Sequence, residues 1–199
     1  MRIRRPGVRE VAVAAVLVVA AMVTGVSIYL LATDQVLVVG FRSRVTPPPA
    51  ASAPGLIIPV AGVRADELRN SYGAARSGGR QHKGVDIKAP RGTPVLAAAA
   101  GVLVKRDSNA VAGRALYQRD LDGRTIYYYA HLDRYRAGLK EGDLLRQGDV
   151  IAYVGDTGNA KPGDYHLHFA VHTVTDPNRW WRGRDLNPYE LLTELESPR

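Results

Sequence analysis

The sequence contains no cysteine, and only two tryptophans, two phenylalanines, two methionines and five histidines among its 199 residues. Without cysteine there is no disulfide scaffold, iron–sulfur cluster, thiolate zinc finger or cysteine nucleophile, so any metal must be held by histidine and carboxylate. The absence fixes no compartment, because a cysteine-free chain is tolerated in oxidising and reducing ones alike. Acidic residues are the scarcer charge, 19 Asp and Glu against 27 Lys and Arg, giving a net charge of +8. The cations are scattered rather than clustered, which argues for a solvated surface with a mild preference for acidic polymers and against nucleic acid as a partner. With 46% hydrophobic residues and no collagen-like or solenoid period, the bulk of the chain is neither disordered nor fibrous.

One long hydrophobic run stands out. Residues 11–32 carry no charge, with Thr24 and Ser27 as the polar interruptions. As a helix rising ~1.5 Å per residue, this run is long enough to cross a hydrocarbon core of about 30 Å. Arg2, Arg4, Arg5 and Arg9 precede it and Asp34 is the first acid after it. That bias predicts a cytoplasmic flank over 1–10, a single-pass transmembrane signal anchor over 11–32, and the remainder outside the inner membrane, in the periplasm. A cleaved signal peptide is the competing reading. Its apolar core usually runs about 7–15 residues and ends at a small-x-small site, whereas the nearest such site, Ala51-Ser52-Ala53, lies far downstream. Residues 33–54, with Pro47-Pro48-Pro49 and Pro54, read as a Pro/Ala-rich linker. A folded domain over 55–192 and a tail over 193–199 follow.

Within the domain the pattern is of short strands. Residues 94–104 are apolar and follow the turn Arg91-Gly92-Thr93, and Asp122-Gly123 separates 115–119 from 125–130 as a hairpin turn does. Residues 150–155 form another strand candidate after Gly148-Asp149. Residues 66–72 are the one helical candidate before the first histidine, and Pro188 suits the first turn of a terminal helix over 187–192. The expected fold is all-β, a mostly antiparallel sheet or sandwich with short peripheral helices.

Four of the five histidines fall in local patterns. His82-Lys83-Gly84-Val85-Asp86, if extended, puts His82, Gly84 and Asp86 on one face, with open space at Gly84. His166-Leu167-His168-Phe169-Ala170-Val171 alternates, so both imidazoles share a face and Leu167, Phe169 and Val171 enter the core. Taken alone, the first pattern is more often a surface pair, and the second is a weak chelate. Together they supply an open tetrahedral zinc site from His82, Asp86 and one of His166 or His168. In Tyr127-Tyr128-Tyr129-Ala130-His131 the same alternation places His131 on the face of Tyr127 and Tyr129.

The stretch from His82 to Val95, Tyr129-Ala130-His131-Leu132, Gly155-Asp156-Thr157-Gly158 and His166-Leu167-His168-Phe169 together resemble the M23 family of zinc metallopeptidases, of the lysostaphin and LytM type. The resemblance spans about residues 56–192 with the four motifs in the family's order. It implies that His82, Asp86 and His168 bind one zinc ion per chain and that His131 and His166 are catalytic. His166 then assists a metal-activated water and His131 stabilises the oxyanion. It further implies hydrolysis of peptide cross-links in peptidoglycan, a substrate that a tethered exported domain reaches, and leaves room for a regulatory protein partner. The family often has Glu where Ala170 stands, and residues 159–165 depart from its usual approach to the histidine pair. His172 is expected to be exposed or to line the groove, and Trp180-Trp181 to close the core beside Pro177 and Pro188.

Two other functions have partial support in the sequence. Some relatives have lost ligands and activate cell-wall amidases without cutting, but all five site residues stand here. Residues 141–152 resemble a β motif of biotinyl and phosphocarrier domains, yet their turn carries neither a modifiable lysine nor a phosphorylatable histidine.

Overall fold

The computed structural model describes residues 17–20, 27–30, 55–176 and 179–193, in two units that divide after residue 51. In the first unit, strands β1 (Leu17–Ala20) and β2 (Ser27–Leu30) pair antiparallel, Leu17 opposite Leu30 and Ala20 opposite Ser27. These eight residues are extended where the sequence reading expects helix. Valine and isoleucine lose rotamer freedom in a helix and suit a pleated ladder. No helix among the described residues is long and apolar enough to cross a membrane. The rest of the 11–32 run, the flank 1–10, the linker 33–54 and the tail beyond Thr193 lie outside the described residues.

The second unit is built on β3 (Val85–Lys88), β4 (Pro94–Leu96), β5 (Gly101–Asn109), β6 (Gly113–Asp120) and β7 (Thr125–Tyr135). It continues through β8 (Leu144–Leu145), β9 (Val150–Val154), β10 (His166–Thr173) and β11 (Asp185–Leu186), and ends in helix α1 (Pro188–Thr193). The nine strands form one antiparallel sheet, ordered β11-β10-β7-β6-β5-β8, with β3 on β10, β4 on β9, and β9 on β7. The all-β expectation holds. Residues 94–104 divide into β4 and β5, because the backbone of 97–100 serves the loops instead of a ladder. Ala97 N–H donates to the Asp149 carbonyl, and Gln118 Nε2 donates to the Ala99 carbonyl. The helix expected over 66–72 is reduced to a 3-10 turn at Ala65–Glu67. Pro188 opens α1 as expected, and the Asn187 side chain accepts from Tyr189 N–H in the manner of an N-cap.

Along β10, Leu167, Phe169 and Val171 are buried in the main core with Val85, Ile87, Leu116 and Tyr129. The histidines therefore take the opposite face. The phenol of Tyr129 is buried but satisfied, donating to Gln118 Oε1 at 2.7 Å and accepting from Ala98 N–H at 3.0 Å. One side of β7 is shared by two neighbours. Residues 125–130 pair with β10, while Leu132 to Tyr135 pair with β9. His131 stands at this fork with φ 61°, the one non-glycine with positive φ among the described residues.

Candidate metal centre and active site

The β3–β10 register sets Asp86 directly opposite His168, so the carboxylate meets the imidazole across the ladder. His82 lies before β3, which begins at Val85, so the expectation that His82, Gly84 and Asp86 share one regular strand is corrected. His82 is placed instead by loop bonds: its N–H donates to Ala74 and its carbonyl accepts from Gly73. Three ligand atoms converge nonetheless. His82 Nε2 is 2.9 Å from His168 Nδ1 and 3.2 Å from Asp86 Oδ1, and His168 Nδ1 is 3.0 Å from Asp86 Oδ1. Gly84 is not beside open space, as expected from sequence. A Cβ there would meet the Phe169 carbonyl and lie 2.9 Å from His168 Cε1, so glycine lets the third ligand's ring sit against β3.

Two nitrogens and one carboxylate oxygen are a donor set that suits zinc, which takes such ligands at about 2.0–2.2 Å and keeps a position open in catalytic sites. The separations of 2.9–3.2 Å are close to the edge of a tetrahedron of that size, so the residues fit the ion. The unused atoms of two of these ligands are held. Ser71 O accepts from His82 Nδ1 at 2.7 Å, fixing Nε2 as the free lone pair, and the Arg76 guanidinium grips Asp86 Oδ2.

The other two histidines complete the group. His166 and His131 are buried, with ring centroids 4.9 Å apart, and His166 Nε2 lies 3.9 Å from Asp86 Oδ1. Each donates its Nδ1–H to a backbone carbonyl, His166 to Asp164 at 2.6 Å and His131 to Thr157 at 2.8 Å. In its neutral form each ring therefore offers the lone pair of Nε2. All five histidine and carboxylate positions singled out from sequence come together here.

Residues 80–188, more than half of the chain, match the model of peptidase family M23. The chain belongs to this family of metallopeptidases. It is 33% identical over 142 residues to the L-Ala--D-Glu endopeptidase of Bacillus subtilis, an alignment covering 67% of this chain and 42% of that protein. It is 35% identical over 95 residues to the peptidoglycan DD-endopeptidase ShyC of Vibrio cholerae, covering 48% of this chain and 21% of that one. The chain thus spans less than half the length of these curated relatives. The catalytic domain of lysostaphin from Staphylococcus simulans superposes with a TM-score of 0.52 at 27% identity, covering 62% of this chain and 91% of that domain.

The electrostatics of the M23 site favour metal-ready forms. Burial alone would raise the Asp86 pKa, but hydrogen bonds from His168, His82 and Arg76 outweigh it and hold the carboxyl far below its usual range. Burial lowers His168 and His131, against the opposing pull of Asp86 on the first and the Thr157 carbonyl on the second. A recess of about 360 Å³, lined by Val63, Glu67, Leu68, Asp86 and Lys88 among others, opens beside the carboxylate ligand.

His131 corrects the alternation argument. Tyr127 and Tyr129 are core residues, yet His131 faces the site with His166. The β6–β7 register slips between Arg114/Leu132 and Leu116/Tyr129, a bulge that sets Ala130 and His131 on the same face. Sequence reasoning also missed the residues around the ligands. Ser71 serves two of them, since its Oγ accepts from Asp86 N–H at 3.0 Å. Thr157, within Gly155-Asp156-Thr157-Gly158, orients His131 through its carbonyl. Its Oγ donates to the Leu132 carbonyl and accepts from Arg114 N–H. That motif needs its glycines: a Cβ at Gly155 would lie 2.7 Å from Asp133 Cα, and one at Gly158 would strike Gly113. Arg76 and Ser71 carry no sequence signal beyond being polar residues upstream of His82.

Proposed function

We propose that this chain is a zinc-dependent endopeptidase that hydrolyses peptide bonds in peptidoglycan. The observation that carries the reading is the convergence of His82 Nε2, Asp86 Oδ1 and His168 Nδ1 beside two imidazoles that both keep Nε2 free. Zinc chemistry at such a site is Lewis-acid polarisation of a carbonyl and acidification of a water molecule. The chain supplies the rest. His166, nearest to the Asp86 carboxylate of the two, takes the water's proton at Nε2 and returns it to the leaving amine. His131 faces the same space from β7; because its Nδ1–H is committed to the Thr157 carbonyl, it donates from Nε2 to the developing oxyanion only as the imidazolium, the second proton being taken from solvent. Asp86 stays anionic under the Arg76 clamp, and Ser71 keeps His82 in the tautomer that offers Nε2. The relatives' names support a wall substrate and cite two different bonds, L-Ala–D-Glu and a DD-linkage. The complete set of five side chains favours turnover over a regulator that only activates an amidase.

The proposal extends to location: the domain works outside the inner membrane, tethered through residues 11–32. The support is the uncharged length of that run and the four arginines before it. Four-residue strands are too short to cross, since a spanning strand takes about 9–11 residues, so an anchor requires this run to be helical in a bilayer.

The full chain, loaded with zinc, should release soluble fragments from isolated peptidoglycan, with mass spectrometry naming the bond. His168→Ala run alongside should release none. Intact peptidoglycan despite one bound zinc per chain would refute the reading. Resistance of the protein to carbonate extraction from membranes tests the anchor.

A further inference from the structure

Three sequence features remain unused by the proposed reaction: Trp180-Trp181, His172, and alanine at position 170. The structure joins them. Tyr117 on β6 stands opposite Tyr128 on β7, and Tyr128 stands opposite Ala170 on β10. Cross-strand partners share a face, and it is the face of Ala130 and His168. Ring centroids step outward from the metal ligand: His168 to Tyr128 is 6.0 Å, Tyr128 to Tyr117 is 4.6 Å, and Tyr117 to Trp180 is 5.3 Å, edge-on. Trp181 extends the row at 5.8 Å from Trp180 and is 57% exposed. The tryptophans do not close the core, as expected from sequence, but roof the outer end of this row.

Their segment is pinned in place. His172 Nε2 donates to the Trp180 carbonyl at 3.0 Å, Thr173 N–H to the Arg184 carbonyl, and Lys83 pairs with Asp185. His172 is thus a positioning residue for Trp180 rather than a free groove histidine. Ala170 adds no polar group to the floor beside Tyr128. A glutamate there would put a carboxylate among the rings.

We infer that Tyr128, Tyr117 and Trp180 form an aromatic platform, continuous with the metal site, that binds the saccharide part of a glycopeptide substrate. The inference rests on the peptidoglycan reading and names which part of the polymer lies beside the metal. A peptide needs main-chain hydrogen-bond partners, and the backbone beneath this floor is already committed to the β6–β7–β10 ladders. A sugar ring asks for something different: apolar contact for its C–H face, which the tilted rings supply as a stepped wall, 43° between Tyr117 and Tyr128 and 68° between Tyr117 and Trp180, and polar groups at the rim. Lys105 supplies a rim cation, its Nζ 5.8 Å from the Tyr117 ring centroid.

The test compares two ligands on the full chain by calorimetry: a stem peptide, and the same peptide carrying its N-acetylated disaccharide. The disaccharide alone is titrated by fluorescence, since Trp180 and Trp181 are the only tryptophans. The sugar should shift the emission, and the sugar-bearing peptide should bind about tenfold tighter than the bare one. That ratio should fall to about one in Trp180→Ala and in Ala170→Glu, and recover in Trp180→Tyr. Zinc content and circular dichroism show that each variant is folded. Equal affinity for the two ligands in the wild type, or an unchanged ratio in folded Trp180→Ala, overturns the platform. Sugar binding without peptide cleavage would sustain the platform while defeating the peptidase reading, and cleavage with no sugar preference would do the reverse.

Discussion

Strands β10 and β7 lie side by side, carry two site histidines and one, and obey different rules. On β10 the period of two is kept: Leu167, Phe169 and Val171 go inward while His166 and His168 face the site. On β7 the same period holds from Tyr127 to Ala130 and then fails, because His131 adopts a left-handed backbone where the strand changes partner from β10 to β9. A ligand can be set by regular pleating. A side chain that must reach the site at the junction of two ladders needs an extra residue and a strained conformation.

The contrast can be broken most severely on β10. His168→Ala should abolish zinc binding and reduce turnover by about a thousandfold or more, while its neighbour Phe169→Ala should cost about 3–5 kcal/mol of stability from the opposite face. Metal analysis and denaturant titration separate the two. Equal effects on metal content would mean that the faces are not divided as described.

On β7, His131→Gly and His131→Gln should both lose about 10²–10⁴ in turnover while retaining zinc. The glycine variant should be the more stable by about 1 kcal/mol, because it relieves the left-handed residue. If thermal unfolding ranks glutamine above glycine, the backbone at the fork is not strained.

Smaller effects probe the groups behind the ligands. Arg76→Gln frees Asp86 Oδ2 and should weaken zinc binding about 10–100-fold in competition with a chelator, without unfolding the sheet. Thr157→Val removes the hydroxyl that bridges Leu132 and Arg114, a loss of about 1 kcal/mol. Its turnover should fall less than that of His131→Gly, since the carbonyl that orients the imidazole remains.

Much of the site was legible because its chemistry is concentrated in few residues. Alternation on β10 and the scarcity of histidine each singled out side chains that the structure brings together. Less was legible where neighbours decide. The strand over 94–104 divides because Asp149 and Gln118 claim its backbone groups. Trp180 packs edge-on against Tyr117, in a segment held by His172 and by the Thr173–Arg184 backbone bond. Within the hydrophobic run, Leu17–Ala20 and Ser27–Leu30 pair as strands although length and charge predicted a helix.

By itself the sequence determined the donor chemistry: with no cysteine, only nitrogen and oxygen ligands were available, and alternation placed His166 and His168 on one strand face. Tertiary structure decided what local pattern does not encode. The β3–β10 register brought together Asp86 and His168, residues 82 positions apart, and the fork in β7 turned His131 from the core face to the site. Pairing between distant strands is fixed by the packing of the whole sheet, and so is the conformation of a residue at their junction.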